Sequence, residues 1–116
     1  MARHLLVVLT NSVAGRDDEF NDWYTNRHLD DMLKIEGVIS ARRFRYNPRE
    51  GWPDCRHKYL ALYEVETDDL PALQKRLAAA AGTELMPFSD VFDRGDTIGW
   101  YFEQIGESWE LQGGLR

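Results

Sequence analysis

The sequence predicts an α+β domain with the element order β-α-β-β-α-β. Three observations carry this: four β-rich runs, two helical segments punctuated by glycines, and a length of 116 residues, which suits one domain. The domain is expected to span residues 1-116, with 106-116 as a C-terminal tail.

Leu5 to Leu9 is a continuous aliphatic run, as expected of a central strand buried on both faces. A helix should begin near Asp17, where Asp17, Asp18 and Glu19 place negative charge at the positive end of its dipole. Gly37 is its stop signal. Val38 to Tyr46 reads as a strand whose arginines suit a sheet edge. A loop punctuated by Pro48, Gly51 and Pro53 leads to a third strand over Lys58 to Val65. Thr67 to Asp69 offer caps for a second helix, Pro71 fits its first turn, and Leu70, Leu73, Leu77 and Ala80 form an apolar stripe ending at Gly82. Met86 to Arg94 is irregular, and Thr97 to Ile105 is the last strand.

This order gives a ferredoxin-like antiparallel sheet with the first and third strands central and two helices on one face. The other face would be bare, yet Trp100 and Phe102 belong to a strand that must present side chains there. A second copy of the sheet is the simplest cover, so a homodimer pairing as a dimeric α/β barrel is expected. Trp109 and Leu111 in the tail are expected to dock on the partner subunit.

The bulk composition narrows the function classes. A net charge of −6 repels phosphate backbones and anionic lipid, so neither nucleic acid nor membrane is an expected partner. No apolar run approaches a membrane span in length. Cys55 is the single cysteine, which points to a reducing cytoplasm.

The first helix carries the most chemistry. At about 100° per residue, Phe20, Trp23, Tyr24, Met32 and Ile35 share one face with Arg27, His28 and Asp31. Buried polar groups cost free energy unless paired, so these three either satisfy one another or face a cavity. In the functional reading His28 and Tyr24 converge, and Asp31 orients the His28 ring as a general acid/base. In the structural reading Arg27 and Asp31, four residues apart, form a helix ion pair and His28 is a half-buried core histidine.

Glu19 to Leu33, with Trp23-Tyr24 and His28 in a W-Y-x-x-x-H pattern, followed by Gly37-Val38 and Ala41-Arg42-Arg43-Phe44, resembles the EthD-like branch of the dimeric α+β-barrel superfamily. The likeness covers roughly the first half of the chain, and Asp30 stands where many relatives have proline. It implies a homodimer with a pocket between each sheet and its helices. It also implies a helix histidine, here His28, with Trp23 and Tyr24 as aromatic companions. The superfamily includes cofactor-independent monooxygenases, cyclases, dehydratases, decarboxylases, isomerases and haem-binding members.

The remaining features read two ways. Arg42, Arg43, Arg45, Arg49, Arg56 and Lys58 gather positive charge at the hairpin: Arg43 would anchor a ligand carboxylate or phenolate, or the cluster is ordinary edge-strand charge. Tyr59, Ala61, Tyr63 and Val65 share one strand face, as pocket lining or as core, and the Tyr63 phenol needs a partner. No metal is expected, because His28 and Asp31 have no third ligand at suggestive spacing. No cofactor is expected. Haem-binding members mostly use a later histidine, and none follows His57.

The expected function is cofactor-independent acid/base chemistry on a small cyclic or aromatic oxygenated substrate. Isomerisation, dehydration, decarboxylation and ring closure all fall in this class. His28, Asp31 and Tyr24 would be catalytic, and Phe20, Trp23, Met32, Tyr63 and Arg43 would bind the apolar or aromatic ligand. The alternatives are a non-catalytic ligand-binding or accessory protein, and a haem-binding or monooxygenase-type member.

Overall fold

A computed structural model describes residues 1–111. Its four strands are β1 (Arg3–Thr10), β2 (Val38–Arg45), β3 (Tyr59–Glu66) and β4 (Ile98–Glu103). They pair in the antiparallel order β2-β3-β1-β4, which puts the two aliphatic strands in the centre and the arginine-bearing β2 at an edge. This is the expected ferredoxin-like arrangement.

Register fixes which side chains share a face. Leu6 lies opposite Tyr63 and Tyr101, and Val8 opposite Ala61 and Gly99. Ala41 pairs with Tyr63, and Arg43 with Ala61. These positions face the helices, so Tyr59, Ala61, Tyr63 and Val65 are all buried. The opposite face carries Leu5, Val7, Leu9, Leu60, Leu62 and Phe44, with Trp100 46% and Phe102 55% exposed. In the single chain β1 is buried on its helix side at His4, Leu6 and Thr10, partly buried there at Val8, and only partly buried on the other side.

The first helix is not continuous α. It runs as α1 (Asp17–Trp23), a π-helical turn (Tyr24–His28) and α2 (Leu29–Leu33). The chain then turns through Gly37 at φ +103°, where an added Cβ would stand 2.5 Å from Leu73 Cδ1, so only glycine fits. The second helix, α3 (Leu70–Ala80), is capped by Asp69, whose carboxylate accepts from the Ala72 N–H at 3.0 Å. It buries Leu73 and Ala80. Between α3 and β4 the irregular segment buries Met86 and Val91, and Ser12 bridges Phe92. That segment closes the space between the helices and the sheet. In the tail, Trp109 is 95% exposed in the single chain, and residues 112–116 lie outside the described residues.

Candidate active site under the first helix

The π turn holds more residues per turn than an α-helix and so changes which side chains stack along the helix. It spans Tyr24 to His28, and both end residues are buried. His28 is 6% exposed. Its ring stacks on Trp23 with centroids 5.0 Å apart and meets the Tyr24 ring edge-on at 4.7 Å. Phe88, at 5.9 Å, and Phe92, at 6.5 Å, complete an aromatic cage.

Inside this cage His28 Nδ1 is buried without a hydrogen-bond partner, and Ser40 Oγ is the other such side-chain atom among the described residues. Burial drives the imidazole down to about 4. The nearby Asp31 charge pulls it up in part, and Arg43 pushes it further down. The ring is therefore neutral at pH 7.

Beside it the Tyr24 and Tyr63 hydroxyls meet at 2.8 Å, one from the helix and one from β3. Burial raises both phenols above their ordinary range, so both are protonated. A cavity of about 250 Å³ opens onto His28, Tyr24 and Tyr63. Its wall is apolar, from Leu6, Val8, Met32, Leu77, Met86, Phe88 and Phe92, with Gln74 and Thr97 as the further polar side chains. Among the described residues, no charged side chain lines it.

The expected site residues divide accordingly. His28, Tyr24, Tyr63 and Met32 come together at the cavity. Phe20 and Trp23 form a layer behind it: Phe20 packs on Tyr24 at 5.5 Å, and Trp23 backs the imidazole. Asp31 does not orient the His28 ring by a hydrogen bond. Its carboxylate accepts from Arg27 Nε at 2.9 Å, the helix ion pair of the structural reading, and it reaches His28 only through space as charge. The physical reason is ordinary helical spacing: Arg27 and Asp31 stand four residues apart, and the guanidinium takes the carboxylate that would otherwise be free for the ring three residues before it. Arg27 is accordingly half exposed rather than fully buried.

Arg43 is likewise not in the cavity wall. It donates to Asn21 Oδ1 at 2.8 Å and Thr25 Oγ1 at 3.0 Å, and its guanidinium lies over the Tyr24 ring at 4.6 Å. Sequence reasoning missed Gln74, Met86, Phe88, Phe92 and Thr97. The last four lie in or next to the segment without periodicity, where aromatic spacing of four residues was the only available signal.

No known protein-family profile matches the chain. A curated relative, core atranone cluster protein 1 of Stachybotrys chlorohalonatus, is 45% identical over 49 residues. That stretch is 41% of this chain and 19% of the relative, so the match spans about a fifth of the relative's length. Solved structures match over nearly the whole chain. An EthD family protein of Bacillus halodurans C-125 superposes with a TM-score of 0.52 at 15% identity, covering 90% of this chain and 100% of that one. A mutant of MhuD with two manganese protoporphyrin IX molecules bound per active site gives 0.59 at 16% identity, covering 92% and 99%. A dimeric ferredoxin-like protein of unknown function from Thermobifida fusca gives 0.51 at 9%, covering 89% and 92%. The chain thus has the ferredoxin-like α+β fold shared by these proteins, an EthD family protein among them.

Proposed function

We propose that the chain is a cofactor-independent enzyme that moves a proton next to a carbonyl of a small cyclic or aromatic ligand. The observation that carries this reading is the His28 imidazole, which borders an apolar cavity beside a phenol pair and has no hydrogen-bond partner at Nδ1. A neutral imidazole accepts a proton, and a phenol donates to the carbonyl oxygen on which negative charge develops. That charge in turn favours the imidazolium, which offsets the low basicity of the free ring. The expected test is solvent deuterium exchange at the α carbon of 2-tetralone, followed by NMR. His28→Ala should slow the protein-dependent exchange about 10²–10⁴-fold. Undiminished exchange removes His28 from the chemistry.

A second reading is a non-catalytic binding protein, favoured by the imidazole's value of about 4, far from that of an efficient base at neutral pH. It predicts that 2-tetralone binds without any protein-dependent exchange.

The outer sheet face supports a homodimer, because Trp100, Phe102 and Phe44 are exposed there beside five leucine and valine positions. The exposed Trp109 would then dock on the partner subunit. Trp100→Glu is expected to convert a dimer by light scattering into a monomer; a monomeric wild type overturns the pairing. The single free cysteine, Cys55, supports a reducing cytoplasmic setting.

A further inference from the structure

Two hydroxyls carry two protons, and the contact between Tyr24 and Tyr63 takes only one. Neither oxygen has another hydrogen-bond partner among the described residues. One phenol proton is therefore left over, and both phenols border the cavity.

Arg43 bears on which proton that is. Its guanidinium lies 4.6 Å from the Tyr24 centroid and 5.5 Å from those of Phe20 and Tyr59. It is held there by Asn21 and Thr25, and no carboxylate among the described residues forms an ion pair with it. A cation over a phenol face withdraws charge from the ring and strengthens its hydroxyl as a donor. Either hydroxyl could donate in this contact; the polarisation favours Tyr24 as the donor, and a hydroxyl that accepts a hydrogen bond becomes a stronger donor itself. With Tyr24 as donor, the proton left over is that of Tyr63.

We propose that Arg43, Tyr24 and Tyr63 form a polarised relay that presents the Tyr63 proton to the carbonyl oxygen of an uncharged ligand, with Arg43 as a positioning residue that never touches that ligand. The inference rests on the site reading above and deepens it. The ligand is uncharged because no charged side chain among the described residues lines the cavity, so an anion would enter an apolar space without a partner.

The test measures binding and the infrared carbonyl stretch of ¹³C-labelled 2-tetralone, with tetralin and 2-naphthoate as controls of similar shape. In the wild type the stretch should move to lower frequency on binding, and 2-naphthoate should bind at least about tenfold more weakly than the ketone. Tyr63→Phe should remove the shift and weaken ketone binding about tenfold, leaving tetralin unchanged within a factor of about three. Arg43→Gln should reduce the shift, Arg43→Lys should restore part of it, and Tyr24→Phe should behave like Arg43→Gln. Three results overturn the relay: no 2-tetralone binding, tighter binding of 2-naphthoate, or an undiminished shift in Arg43→Gln. The relay and the acid/base reading fail separately. An Arg43-sensitive shift without deuterium exchange removes the chemistry and keeps the relay. His28-dependent exchange with an Arg43-insensitive shift does the reverse.

Discussion

Two polar clusters lie under the first helix, and both use a tyrosine from the same face of β3. At one end the Tyr59 hydroxyl donates to Asp17 Oδ2 at 2.6 Å and accepts from Asn21 Nδ2 at 3.2 Å. Asp17 also accepts from Ser12 at 2.9 Å and lies 3.6 Å from Lys58. Every group there has a partner, and the Tyr59 hydrogen bond holds the Asp17 carboxyl below its ordinary range, helped by Ser12. Four residues along the strand, Tyr63 has one partner and His28 Nδ1 has none. The first cluster ties α1 to the sheet and to the end of β1. The second leaves hydrogen-bonding capacity unused in residues that border a cavity. Burial alone does not separate them, because Tyr59 and Tyr63 are both buried. Completion of the hydrogen bonds does.

The largest expected effect of this difference on stability is in its pH dependence. His28 falls from 6.5 in the unfolded chain to about 4 in the folded one. Between those values the unfolded state binds a proton that the folded state refuses, so stability is complete above pH 6.5 and is lost as pH falls toward 4. A gap of this size corresponds to about 3 kcal/mol. Asp17 acts lower. Its folded carboxyl is depressed below 3.8, so its contribution is present above that pH and is lost as pH falls further. Urea unfolding at pH 7 and pH 4.5 should show most of the His28 loss in the wild type and little of it in His28→Gln. Equal losses in the two proteins would mean that the imidazole is not held neutral by its cage.

The fold was legible because strand, helix and glycine signals agreed at each element. The apolar β1 and β3 became central, and the arginine-bearing β2 became an edge. The site was legible in part. His28, Tyr24 and Met32 on one helix and Tyr63 on β3 do converge. Asp31 and Arg43 took other roles for two different reasons. The helical spacing allowed Asp31 either partner, and the i,i+4 ion pair with Arg27 took its carboxylate instead of the imidazole. Arg43 faces the helices as its register requires, yet Asn21 and Thr25 capture its guanidinium before it reaches the cavity. Phe88 and Phe92 escaped because an irregular segment has no period from which to read a face.

The smaller effect separates the two tyrosines directly. Tyr59→Phe deletes a donor to a carboxylate and leaves Asn21 Nδ2 without its acceptor, so it should cost about 1–2 kcal/mol in denaturant unfolding. Tyr63→Phe deletes one neutral hydrogen bond, and water entering the cavity can serve the Tyr24 hydroxyl left behind, so its cost should stay below about 1 kcal/mol. The same ranking should invert for ligand binding, where Tyr59 is no part of the cavity wall and Tyr63 is. If Tyr63→Phe instead destabilises as much as Tyr59→Phe, the phenol pair is a tie like the Asp17 cluster. Its apparent spare proton would then be spent on holding the helix to the sheet.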